Sequence, residues 1–265
     1  MRTRLPGLDW PQRLGTTLWG WAVAWGRILY LGAVMLVLLL SPSSYGRPMR
    51  RRLAWHLVAM ALPGLPGFAV LVALISLVLT RIVVVTADSY GLSRYALEMV
   101  IRVLVIELIP LTAALFVAMR STIPAGTQLA SLRAAGHLDA LRARGADVLR
   151  LELLPRVVAG LFASCLLAAV SGLVALVLAY LGVYGFTLAG LPGYTRMFGQ
   201  VFTPPITLVL VGKTLAFSLA VALTPVATAL DARRPGHPGW ELGGLARMFA
   251  VLLLIELTSL VGHYI

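Results

Sequence analysis

Five stretches of this chain are apolar for long enough to cross a lipid bilayer, and that constrains its fold more than anything else. A crossing takes about 20 residues of helix. Runs of that length fall at about 53–87, 95–119, 157–183, 201–230 and 243–265. Apolar residues make up 60% of the 265, charged residues only 12%, and mean hydropathy is +0.92. A soluble domain of this length needs far more polar surface, so the expected fold is an all-α integral membrane protein.

The first run, about 35 residues, is too long for one straight helix. It contains Leu62-Pro63-Gly64-Leu65-Pro66-Gly67, a double breaker expected to bend it or split off a short entry helix. Residues 17–40 are also long enough to span but carry Arg27 with Trp19, Trp21 and Trp25. That mixture suits a helix lying in the interface, and an N-terminal interfacial helix over about 14–42 is expected. This first apolar run is too long for a signal-peptide core and no small-x-small site follows it closely, so no cleaved leader is expected.

The net charge of +12 comes from 21 arginines and one lysine. The arginines cluster beside the apolar runs, which fits membrane orientation and anionic lipid rather than nucleic acid. With the N-terminus inside and five spans, residues 1–52, 119–156 and 231–247 face the cytoplasm and hold 17 arginines, against four outside (Arg81, Arg94, Arg102, Arg196). The expected topology is therefore N-terminus in, C-terminus out.

Three ionisable residues fall deep in apolar runs: Glu107, Lys213 and Glu256. Counting at 1.5 Å per residue puts all three at similar depth, roughly 14–18 Å below the outer surface. A lone charge there costs roughly 2.5–3.5 kcal/mol, so such groups pair or line a wet cavity. Two readings stand: a polar layer around a substrate cavity, with Lys213 facing one of the carboxylates, or an ion pair that only fixes helix packing. In the third span Gly160, Ser164, Ala168 and Gly172 recur every four residues. They give one helix face smooth enough for close approach, within the subunit or between copies.

Residues 121–145 hold no spanning run, but Leu129, Leu132, Leu138 and Leu141 form an apolar stripe, with Arg133, His137, Arg142 and Arg144 supplying polar surface around it. One amphipathic helix is expected, either resting on the inner leaflet or docking a cytoplasmic partner.

Other chemistry is missing. Gly212-Lys213-Thr214 lacks the earlier glycine of a phosphate loop (position 207 is Thr207) and lies inside an apolar span. Cys165 is the single cysteine, and His56, His137, His237 and His263 show no ligand spacing, so neither a disulfide nor a metal site is expected. There is no catalytic constellation, and any energy source must be another chain or an ion gradient.

The order of these features resembles a known family. Ile106-Glu107-Leu108-Ile109-Pro110 resembles the R-E-L-G-P stretch of MlaE-family permeases, the membrane subunits of Mce-type lipid ABC transporters. Arg120 falls where that family has a G-R. Gln128 to Leu141 resembles its E-L-G-T-M-R-V-T-E-Q-I-D-A-L segment, and Gly145-Ala146-Asp147 and Leu154-Pro155-Arg156 resemble its G-V-D-P and L-P-R. Val211-Gly212-Lys213-Thr214 resembles its I-K-S, and Glu256 stands where an Asp is usual. The chain departs at Ile106, Ile109, Gln128 and Ala135-Gly136-His137.

The resemblance implies a homodimer in the bacterial inner membrane. Each copy would seat a cytoplasmic coupling helix on an ATPase subunit that binds ATP and Mg, so this chain itself carries no cofactor. Phospholipid or another hydrophobic molecule would pass to a periplasmic Mce-domain protein. The residues expected at the ATPase are Arg120, Gln128, Arg133, His137, Asp139, Arg142 and Arg144. The rival reading is a proton-coupled secondary transporter using Glu107, which should show inverted repeats; none is found.

Overall fold

The computed structural model describes residues 10–231 and 238–264. Arg2, Arg4, Arg233, Arg234 and His237 lie outside the described residues. Among those residues all regular structure is helical and no strand forms. Five helices are long and apolar enough to cross a membrane: Met49–Ser89, Tyr95–Ala134, Leu149–Tyr184, Pro204–Leu230 and Leu242–Gly262. A shorter apolar helix, Trp25–Leu40, precedes them. The expected all-α architecture is the observed one.

The shorter helix is part of α1 (Trp10–Leu40), whose Ile28, Leu31 and Met35 recur at helical spacing and are buried. They join a cluster with Leu129, Leu154, Val157 and Leu223, at the arginine-rich ends of the spans. The double Pro-Gly run divides α2 (Arg47–Ala61) from α3 (Leu65–Ser89) by one 3-10 turn, Leu62–Gly64. Carbonyls at this break are taken up by the far end of span 2. Arg120 Nη2 donates to Pro63 O at 3.2 Å, and Ser121 Oγ donates to Met60 O at 3.3 Å.

Span 2 runs through α4 (Ser93–Val100), a wide π-helical segment (Ile101–Leu108), α5 (Ile109–Val117), a second π segment (Ala118–Thr122) and α6 (Ile123–Ala134). A third π segment, Leu149–Leu153, opens span 3 ahead of α8 (Leu154–Tyr184). Each π segment ends two residues before a proline: Pro110, Pro124 and Pro155. Proline lacks the N–H of the helical ladder and its ring crowds the carbonyl four residues back. Widening the preceding turn moves that carbonyl aside, so the helices continue instead of breaking.

Residues 121–145 are not the single amphipathic helix expected. Their first part is α6, the direct continuation of span 2. Their second is the short α7 (His137–Ala143), parted from it at Gly136 with φ 73°. A left-handed residue ends a helix and favours glycine, so α6 ends at Ala134 and a new helix starts at His137.

After α8, the short α9 (Leu191–Val201) is pinned back onto it by Tyr194, whose hydroxyl donates to Leu176 O at 3.0 Å. Burial pushes the Tyr194 phenol above its ordinary pKa, which keeps that donor protonated. Two long helices, α10 (Pro204–Asp231) and α11 (Pro238–Tyr264), complete the bundle. Helix α6 packs closely on α10, where a Cβ on Gly126 would lie 3.0 Å from both the Cβ and the carbonyl oxygen of Pro225.

Candidate functional site

Lys213 stands in the middle of α10, and its side chain is 1% exposed. An ammonium buried among apolar helices must be paired. It donates a hydrogen bond to Glu107 Oε2, from the π segment of span 2, and lies 2.9 Å from Glu256 Oε2 of α11. The second contact is a charge contact without hydrogen-bond alignment, since Glu256 Oε2 has no hydrogen-bond partner. One turn along α10, the Phe217 ring centre lies 5.8 Å from Nζ, within cation–π range.

Three helices distant in sequence thus converge on one ammonium, and the lysine faces both carboxylates rather than one. The carboxylates keep 24% and 17% of their side-chain surface open. With both ionised the group carries one net negative charge. The carboxylates are thus the part of the cluster that stays reachable, while the cation is enclosed. Among the described residues no His, Cys, Asp and Glu group comes together as a metal site.

The residues expected at a partner interface divide into groups. Arg133, Asp139 and Arg142 line one cavity of about 520 Å³ between α6, α7, the start of span 3 and the end of α10, with Asp147 beside them and Leu138, Leu153 and Leu230 in the wall. Arg142 Nη1 lies 3.7 Å from Asp139 Oδ1 in an exposed pair. Arg120 and Gln128 line a separate, smaller hollow of about 160 Å³ with Trp55 and His56. His137 and Arg144 are exposed on the same segment. The fold therefore does not gather all seven at one point.

The four small residues of α8 are also used unequally. A Cβ on Gly160 would meet Thr122 Cγ2 at 2.9 Å and Ala222 Cβ at 3.3 Å, so spans 2 and 4 close on it within one subunit. Ser164 and Ala168 are buried along the same face. Gly172 is looser, with Val105 Cγ1 3.9 Å from where its Cβ would be.

One cluster escaped the sequence reading. Glu152, buried at the start of span 3, accepts a hydrogen bond from Arg156 Nη1 at 2.6 Å and another from Arg52 of α2. Arg52 Nη1 also donates to Leu151 O at 3.2 Å. The four-residue step from Glu152 to Arg156 is a helical pair visible in the sequence. The partner across 100 positions is not.

These features agree with a comparison of the chain with protein families. The permease MlaE family profile matches residues 53–237, most of the chain, and covers Glu107, Lys213 and the arginine-rich link between spans 2 and 3. No curated protein matches the chain. With a multi-pass helical fold and a family profile over most of its length, the chain belongs to the MlaE permease family, the non-catalytic membrane subunits of ABC transporters.

Proposed function

We propose that this chain moves phospholipid or another hydrophobic lipid between the bacterial inner membrane and a periplasmic Mce-domain partner, as a homodimer driven by ATP hydrolysis in a separate subunit. The observation that carries the reading is Lys213 held between Glu107 and Glu256. A charged layer within apolar spans, with its carboxylates partly open, offers a lipid head group a polar stop while its acyl chains meet apolar walls.

The lever is span 2 itself. Residues Tyr95–Ala134 form one helical rod that carries Glu107 and ends beside α7. From Ala134 back to Glu107 is about 40 Å at 1.5 Å per residue. A push by a nucleotide-binding partner on Arg133, Asp139, Arg142 and their neighbours travels along this rod. The π segments are where it can shift register. The arginine clusters support a topology with α6 and α7 on the cytoplasmic side, the N-terminus inside and the C-terminus in the periplasm.

The test is reconstitution with the ATPase subunit in phospholipid vesicles. ATP turnover should depend on lipid, and a photoactivatable phospholipid should label residues near Glu107. Turnover indifferent to lipid, with no label near Glu107, overturns the reading.

A further inference from the structure

The Lys213 layer is lopsided in charge and in hydrogen bonding. With Glu107 and Glu256 both ionised, each copy of the chain holds one net negative charge among apolar helices. Among the described residues, the bond from Lys213 to Glu107 Oε2 is the only hydrogen bond either carboxylate accepts. An ionised carboxylate has about four acceptor positions on its two oxygens. The layer therefore has acceptors to spare and one cation too few.

Neighbouring groups correct neither imbalance. Thr214, beside Lys213, donates its hydroxyl to Leu210 O at 2.8 Å. Lys213 is enclosed and already bound, so it offers nothing to an incoming anion. Arg102 and Glu98 pair at 3.0 Å and together add no net charge. By residue count from the turn at 90–92, Arg81 and Arg102 stand five or six residues, roughly 8–9 Å, off the depth of Glu107.

A second copy of the chain does not reverse the sign. A two-fold axis along the membrane normal keeps every residue at its own depth. The copy would bring its own layer to this level, with the same excess of negative charge. Whether one protomer or two enclose the space, what completes the layer is a cation that carries N–H donors. A phosphate is excluded there, because no donor is left to receive it and like charges repel at low dielectric.

We propose that the layer selects among head groups, binding the primary ammonium of an ethanolamine-type lipid and rejecting anionic phospholipids. Glu107 and Glu256 are the specificity-determining residues. They accept the ammonium N–H groups in charge-assisted hydrogen bonds, and the phosphate is held away from the layer. This selection, which rests on the transport reading above, adds a choice that apolar walls cannot make, since lipids of every head group share the same acyl chains.

The full chain with its ATPase subunit is reconstituted in vesicles of equal phosphatidylethanolamine and phosphatidylglycerol. In parallel samples one lipid or the other carries the same diazirine on an acyl chain, and adducts are mapped by peptide mass. Beside Glu107 the ethanolamine lipid should label about tenfold more than the glycerol lipid, the effect of one charge-assisted hydrogen bond. At the exposed Leu74 and Val78 of span 1 the two should label equally. Glu256→Gln leaves one cation on one carboxylate, so the ratio beside Glu107 should fall toward one. A ratio near one in the wild type, or one that survives Glu256→Gln, overturns the proposal. Should that variant fail to fold, the wild-type ratio measured against span 1 decides alone. Equal label near Glu107 with lipid-dependent ATP turnover rejects the selection and leaves transport standing. No label there from either lipid, with turnover indifferent to lipid, rejects transport and the selection with it.

Discussion

Lys213 and Glu107 are joined by a direct hydrogen bond between α10 and the π segment of span 2, and no other lysine exists in the chain. Removing the cation leaves two carboxylates facing each other among apolar helices. Lys213→Ala should therefore destabilise the fold by about 3–5 kcal/mol, the cost of an orphaned buried charge. Replacing all three by neutral isosteres (Lys213→Met, Glu107→Gln, Glu256→Gln) should recover most of that stability. Thermal unfolding in detergent reads both effects, and lipid-dependent ATP turnover should stay lost in the triple variant. If the triple variant regains both stability and turnover, the charges serve packing alone.

The contact of Gly126 with Pro225 gives a sharper stability prediction. An added methyl at residue 126 meets backbone as well as side chain at 3.0 Å, and backbone cannot swing away. Gly126→Ala should cost about 1–3 kcal/mol, as overpacking does. Gly212→Ala, with nothing within 4 Å of the new Cβ, should be tolerated. Paired melting curves of the two variants check this, and equal melting would contradict the close approach of α6 to α10.

How much of this was readable beforehand depended on the kind of signal. Glu107, Lys213 and Glu256 stood out because a charge in an apolar run has no cheap explanation, and depth counting brought them to one level. Glu152 did not stand out. It lies at a span end, where charges normally face water, and its partner Arg52 is 100 residues away. The three π segments were not anticipated, although each is announced by a proline two residues on, because a proline in a run reads first as a break. The unequal use of the small residues of α8 was hidden for a different reason. Gly160 and Gly172 are equivalent in the sequence pattern, and only the placement of spans 2 and 4 makes one a tight packing site and the other a looser contact. The break at Gly136 was available in Ala135-Gly136 but was overridden by the leucine stripe running across it.

The Glu152 cluster predicts an ordering of effects. Glu152 and Arg156 are both buried, whereas the Arg52 side chain is 45% exposed. Glu152→Ala strands Arg156 and should cost about 3–5 kcal/mol. Arg52→Ala removes a half-solvated partner and should cost about 1 kcal/mol or less. Expression yield and melting of the two variants should differ in that order. The opposite order would place the weight of the cluster on α2 rather than on span 3.

Orientation is tested through α7. His137→Cys in a Cys165→Ser background should react with a membrane-impermeant maleimide only when the cytoplasmic side is open, as in inverted vesicles. Reaction in intact spheroplasts would put α7 in the periplasm, where no ATPase can reach it.

The link between α7 and an ATPase rests on charge lining a cavity rather than on any single pair. Arg142 and Asp139 are 3.7 Å apart and largely exposed, so their mutual attraction adds little to the fold. Changing them should spare stability while disturbing whatever docks there. Arg142→Glu and Arg133→Glu together invert the charge on one wall of the cavity that Asp139 and Asp147 share. The doubly reversed protein should melt like the wild type yet lose capture of the ATPase subunit, because rim charges mainly set encounter and salt dependence. Restoration by a charge-reversed partner would locate the contact. If capture and lipid-dependent turnover both survive the reversal, the push on span 2 enters elsewhere, and the hollow of Arg120, Gln128 and His56 becomes the place to look.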